Sequence, residues 1–194
     1  MTKNIIIAGV GGQGILTIAS IIDLAAMHTG LFVKQAEVHG MSQRGGEVQS
    51  HLRISDTEIF SDLIPLGKAD IIISVEPLEA LRYVPFLSEN GVIITATESV
   101  MNIANYPDYD SIIQGLNQSA HTILINATEI AQSLGNAKSY NIVMLGAAIP
   151  YIGIDIKQLE WGIQTLFSTK GQEIIDMNIA ALHQGLKITQ ESVK

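Results

Sequence analysis

A short apolar run from Asn4 to Ala8 ends in Gly9-Val-Gly-Gly-Gln-Gly14, and apolar residues then recur at helical spacing from Ile15 to Met27. That pattern is a strand, a glycine turn and a helix. A helix delivered this way buries its apolar stripe by folding back over the strand it has just left, which commits the chain to layered α/β architecture. Two later runs, Ala69-Asp-Ile-Ile-Ile-Ser-Val75 and Val92 to Ala96, read as strands without a polar face. Such strands belong in a sheet covered on both sides. With 47% apolar residues but only 5% aromatic ones, the core has to be aliphatic.

The remaining elements fit the same plan. Leu31 to Val38 is a second strand candidate. Val48, Ser50, Leu52 and Ile54 alternate with Gln49, His51 and Arg53, which predicts a half-exposed strand, and Asp56 to Asp62 is expected to extend it as a hairpin. Pro77 suits the first turn of a helix that runs to about Leu87 and is broken by Glu89-Asn-Gly91. Residues 98–120 are the least regular stretch, with one short helix around Ser111–Leu116. Thr122 to Asn126 is a further strand, and Asn126-Ala-Thr-Glu129 has the spacing of a helix cap. Helices at about 139–150, 155–167 and 171–188 finish the chain, and Gly146-Ala-Ala148 points to close packing of the first against the sheet or another chain. The expected fold is α/β and Rossmann-like: a mostly parallel sheet with helices on both faces and a helical C-terminal end, in a single domain spanning residues 1–194.

Several function classes drop out early. There is no cysteine, which removes disulfides, thiolate-ligated Fe–S clusters, all-thiolate zinc sites and any Cys nucleophile. A formal net charge of -8 argues against nucleic acid or an anionic membrane surface as partner. No apolar run approaches the ~18 to 20 residues that span a bilayer. The apolar run after Met1 is too short for a signal peptide, so a cytoplasmic location is expected.

Gly9, Gly11 and Gly14 satisfy G-x-G-x-x-G between a strand and a helix, where small residues let the backbone close on a phosphate at the positive end of the helix. Three readings stay open. One is a nicotinamide or flavin dinucleotide site, for which Glu37, 23 residues after Gly14, would be the ribose-binding acid. Another is a phosphate cradle for a different ligand, such as coenzyme A. The last is a turn without a ligand, in which Gln13 caps or contacts a neighbour. No Walker lysine follows the glycines, which excludes the nucleoside triphosphatase pattern.

Glu37-Val-His-Gly-Met-Ser-Gln-Arg-Gly-Gly46 is the second chemical feature. Two of the three arginines, Arg44 and Arg53, fall within ten positions here on an acidic chain. A Gly-Gly pair beside an arginine lets backbone amides approach a ligand while a planar cation meets an anion. The alternative is a glycine-rich connection between two strands with Arg44 solvated. His39 and His51 lack a clear carboxylate partner for a metal site, and Ser42 lacks a triad arrangement. Glu76 sits at a strand end, where open α/β sheets place their crevice. It is either a counter-charge for Arg44 or Arg53 or an acid favoured by a helix N-terminus.

The glycine turn and the 37–46 segment together, with Glu76-Pro-Leu-Glu-Ala-Leu-Arg-Tyr83 and Asn141-Ile-Val-Met-Leu-Gly-Ala147, resemble the gamma-type domain of the 2-oxoacid:ferredoxin oxidoreductases. The resemblance spans most of the chain and leans toward the branch that acts on indolepyruvate and other aryl-pyruvates. It implies a complex that makes acyl-coenzyme A, carbon dioxide and reduced ferredoxin. In such complexes thiamine diphosphate generates the carbanion and Fe–S clusters carry the electrons. This chain has neither cysteine nor a Gly-Asp-Gly thiamine signature, so both cofactors are expected on a larger catalytic partner. The implied role is an accessory subunit, inactive alone, that reaches ferredoxin through the complex; a homodimer is the alternative use of its partner surface in isolation. Coenzyme A is the one ligand the resemblance suggests for it, held by Gly9, Gly11, Gly12, Gln13, Gly14, Ser42, Gln43, Arg44, Gly45 and Gly46. Glu37, His39, His51, Arg53 and Glu76 become candidate partner or substrate contacts, and no residue is assigned a catalytic or metal-binding role.

Overall fold

In β1 (Thr2–Val10) the isoleucine run is sealed on both sides: Ile5 and Ile7 enter one hydrophobic layer, Ile6 and Ala8 the other. The structure, a computed structural model, describes residues 1–40 and 45–192. Beside β1 lie β4 (Ala69–Ser74), β5 (Leu87–Ala96) and β6 (His121–Ile125), all parallel to it in turn. On its other side β3 (Glu47–Ser55) runs antiparallel, and β2 (Phe32–His39) is antiparallel to β3 at the sheet edge. The order is β2-β3-β1-β4-β5-β6, and only β3 opposes the common direction.

Helix α1 (Ile15–His28) returns over the sheet as the glycine turn demands, and its Ile15, Ile18, Ile22 and Ala26 join the Ile5/Ile7 layer. The same layer takes buried residues of α4 (Ala127–Ser133), α5 (Tyr140–Ile152), α6 (Ile156–Leu166) and α7 (Gln172–Ser192). The opposite face is covered by α2 (Pro77–Arg82) and α3 (Tyr109–Ser119), which bring Ala80, Ile112 and Leu116 against Ile6, Ile72 and Ile93. The expected α/β arrangement, helices on both faces and a helical C-terminal end are borne out. At the C-terminal end α5 and α7 cross with their backbones in contact, at Gly146 and Gly185. Among the described residues no helix is long and apolar enough to cross a membrane.

Four local expectations need correction. The 48–54 strand is not half-exposed but lies between β2 and β1, where Ser50 and His51 are buried with internal partners. Ser50 accepts from Gln35 Nε2 at 3.0 Å, and His51 Nδ1 accepts from the Ile64 N–H at 3.0 Å. For the same reason Asp56–Asp62 forms no hairpin: β3 already has a neighbour on each side, so no edge remains for it. Helix α2 stops at Arg82 rather than Leu87 and gives way to a 3-10 turn at Val84–Phe86, since Pro85 cannot continue an α-helix. Glu89-Asn-Gly91 lies inside β5 opposite a register irregularity at Ala69/Ile71, not ahead of the strand.

One group in α1 is costly to bury. Asp23 Oδ1 is enclosed with no partner among the described residues, and burial pushes the carboxyl up to about 7. Its native-state affinity for a proton exceeds that of the unfolded chain, so its contribution favours the fold at low pH and is lost as pH rises from about 4 through about 7. Asp23→Asn should therefore stabilise the protein at pH 8 by about 1–3 kcal/mol, because the neutral amide is spared the cost of ionising a half-buried carboxyl. It should change little at pH 4. Urea unfolding of both forms at the two pH values checks the sign.

Candidate functional site

The C-terminal ends of β1 and β4 meet the start of β3 at one end of the sheet, and the glycine turn lies there. Gly14 caps α1 in the left-handed region (φ 78), and a Cβ on it would lie 2.4 Å from Asn141 Nδ2. The Gly14 carbonyl accepts from that same nitrogen at 3.1 Å, so the turn is keyed to α5. Gln13 closes the turn from inside: its Oε1 accepts from Val10 N–H at 2.7 Å and its Nε2 donates to the Val75 carbonyl at 3.2 Å. Both ends of the Gln13 amide are thus bonded within the chain.

The β1–β3 ladder continues beyond the strands into the two glycine motifs. Gly11 N–H donates to the Gly46 carbonyl at 2.8 Å, and Gly45 N–H to the Gly11 carbonyl at 3.4 Å. Gly11 and the Gly45-Gly46 pair, 34 and 35 residues apart in sequence, thus form one backbone surface. This arrangement departs from a dinucleotide site in two ways. The Gly11 amide is committed within the chain, and β3 fills the place beside β1 that such a site gives to its second strand. Glu37 therefore stands two strand spacings from β1, about 10 Å. The first-turn amides of Ile15 and Leu16 remain without intrahelical acceptors, as at any helix start.

Glu76 is the most enclosed charged group here, 1% exposed. It caps α2, accepting from Glu79 N–H at 2.8 Å, and its Oε1 also accepts from Val100 N–H at 3.3 Å and from the Tyr106 hydroxyl. Burial, then this bond, pushes the Tyr106 hydroxyl well above the ordinary phenol range, so it remains a donor. Asn102, in the same segment, donates from Nδ2 to the Gly45 carbonyl at 2.7 Å. Nearby Arg82 spans Glu47 (3.3 Å) and Glu79 (3.1 Å), tying the start of β3 to α2. Burial raises the Glu79 carboxyl, with Arg82 pulling against it.

Two grooves flank the glycine turn. One, about 430 Å³, runs between Gly11–Leu16 and Glu37, His39 and Val48. The other, about 460 Å³, shares Gly12–Gly14 and is walled by Asn136, Lys138, Tyr140, Asn141, Phe167 and Asn178. Among the described residues only the second has a lysine or arginine in its wall; the first has the anionic Glu37. The structure thus brings together Gly9, Gly11, Gly12, Gln13, Gly14, Gly45, Gly46, Glu37 and His39, with Glu76 behind them. Ser42, Gln43 and Arg44 lie outside the described residues.

His51 and Arg53 belong elsewhere. His51 is buried beneath Phe86 in the α2-side layer, where desolvation lowers its pKa against a partial pull from Asp62. Arg53 pairs across from Asn4 at the far end of β1, with Nε to Asn4 Oδ1 at 2.9 Å and Nη1 to the Ser61 carbonyl at 2.8 Å. Neither lines the grooves, and Arg53 is not the counter-charge of Glu76. Tyr106 and Asn102 carry no motif; their only sequence signal is an irregular polar stretch following a strand's C-terminal end. No group of three or more His, Cys, Asp or Glu among the described residues could hold a metal.

Residues 4–188 match the family described as pyruvate ferredoxin/flavodoxin oxidoreductase. Indolepyruvate oxidoreductase subunit IorB of Archaeoglobus fulgidus is 41% identical over 194 residues, covering 95% of this chain and 94% of its own. Among solved structures, the pyruvate oxidoreductase subunit PORC of Thermotoga maritima aligns with a TM-score of 0.74 at 23% identity, over 96% of each chain. The 2-oxoglutarate:ferredoxin oxidoreductase of Magnetococcus marinus, with 2-oxoglutarate, coenzyme A and succinyl-CoA bound, aligns at 0.79 and 18% identity, over 98% of this chain and 31% of that one. At these identities the structures share the fold. A family match from the first strand to the last helix, joined to 41% identity along nearly the whole length of an oxidoreductase subunit, makes this chain a member of the pyruvate ferredoxin/flavodoxin oxidoreductase family.

Proposed function

We propose that the chain is the smaller, accessory subunit of a cytoplasmic 2-oxoacid:ferredoxin oxidoreductase, a single gamma-type domain that pairs with a larger chain carrying thiamine diphosphate and Fe–S clusters. The reaction joins a 2-oxoacid and coenzyme A to give acyl-coenzyme A and carbon dioxide, and two electrons pass to ferredoxin. Relation to IorB favours indolepyruvate and other aryl-pyruvates. The absence of cysteine supports placing the clusters on the partner.

The observation that carries this reading is the closure of the glycine turn by Gly45 and Gly46. A turn whose amide is bonded inside the chain offers a formed surface to a partner rather than an open dinucleotide cradle. Coenzyme A is the ligand best suited to that surface: α1 begins there, and Lys138 supplies a cation beside it. Arg44 is the second proposed anion contact. His39 and Glu37, exposed at the rim of the other groove, are proposed to meet the larger chain.

Anaerobic affinity capture of the tagged chain from its own cells, with mass spectrometry of what co-purifies, tests the assignment. The expected result is a large, cysteine-rich thiamine diphosphate protein in stoichiometric amount. Recovery of the chain alone, under conditions that keep such complexes intact, would remove it.

A further inference from the structure

A Gly-Gly pair has no side chain with which to hold itself, and glycine loses more backbone freedom on folding than any other residue. Gly45, at φ 76, and Gly46 are nevertheless fixed in register with Gly11. The bond that holds Gly45 from the far side comes from the 98–106 segment. Both ends of that segment return to one atom: Val100 N–H and the Tyr106 hydroxyl each donate to Glu76 Oε1. Between them Asn102 N–H donates to the Val100 carbonyl at 2.7 Å, which tightens the loop, and Asn102 Nδ2 reaches the Gly45 carbonyl. A buried carboxylate that already caps α2 thus anchors a loop whose tip grips the second motif.

We infer that residues 98–106 form a brace that positions Gly45 and Gly46, with Asn102 and Tyr106 as positioning residues and Glu76 as their anchor. Removing the phenolic donor frees one end of the loop, and removing the Asn102 amide releases its grip. The side chains on either side of Asn102, Met101 and Ile103, are 80% and 47% exposed, so the loop that reaches Gly45 also carries two exposed apolar groups. That these glycines face the larger chain rests on the function proposed above; that they are held by the brace does not.

The test uses the full chain, alone and assembled with its larger partner, in the variants Tyr106→Phe and Asn102→Ala. Both changes are mild, since one keeps the ring and the other lies at an exposed position. Hydrogen exchange followed by mass spectrometry should quicken at least tenfold in peptides covering residues 45–48 and 9–14, with β4 unchanged. Affinity for the larger chain should fall at least fivefold. Exchange at 45–48 that stays at the wild-type rate in both variants would overturn the brace. Faster exchange with unaltered affinity would uphold the brace and count against the partner-facing surface, so the two ideas fail separately.

Discussion

Replacing Gly146 with alanine should lower the melting temperature by roughly 10 °C, a loss of about 3 kcal/mol or more. The added methyl would lie 2.1 Å from the Leu182 carbonyl oxygen and 3.1 Å from Gly185 Cα. Neither neighbour is a side chain able to turn aside, so α7 must move as a body. Gly185 faces the mirror problem, 2.0 Å from the Val143 carbonyl oxygen. The crossing also carries the buried bond from the Thr189 hydroxyl to the Ala147 carbonyl at 3.0 Å, which a shift would stretch. Gly185→Ala should cost a similar amount, and the double variant less than the sum, because helices already pushed apart accept the second methyl more easily. Thermal unfolding of the three variants checks this, and a fall of less than about 3 °C in each single variant would mean the crossing has slack.

The second large effect is expected at Glu76. Alanine there leaves Glu79 N–H, Val100 N–H and the Tyr106 hydroxyl without their shared acceptor, in a pocket where the residue is 1% exposed. Each buried donor left unmatched costs about 1–3 kcal/mol, and water reaches only the outer ones, so a total near 3–5 kcal/mol is expected. Glu76→Gln keeps one acceptor oxygen and should lose about half as much. Denaturant unfolding measures both. A cost below about 1 kcal/mol for alanine would mean that the three bonds do not hold the loop.

Much of this was legible in the residues because their patterns were local. The isoleucine runs of β1, β4 and β5 and the helical spacing of Ile15–Met27 dictated two-sided burial, and Gly146-Ala-Ala148 pointed to close packing against the sheet or another chain, although Gly146 itself meets α7. The 48–54 strand misled because alternation normally marks a wet face, whereas Ser50 and His51 were matched by Gln35 and the Ile64 amide, partners visible only after folding. The interposed position of β3 was likewise out of reach, since strand order depends on pairing rather than on any one segment. Glu76 drew notice by its place at a strand end; it caps α2 and is not paired with Arg53. Tyr106 and Asn102 gave no signal because their roles are single hydrogen bonds to residues 30 and 57 positions away.

The central claim is that this chain works as a subunit of a 2-oxoacid oxidoreductase. Its most direct test is reconstitution under strict anaerobiosis from the separately purified larger chain and this one. Indolepyruvate- and coenzyme A-dependent reduction of ferredoxin would be followed as this chain is titrated in. The expected result is activity that rises from near zero and saturates at equimolar addition, with nicotinamide cofactors unable to replace ferredoxin. A larger chain that reaches full activity without this one, or turnover with NAD(P) by this chain alone, would contradict it.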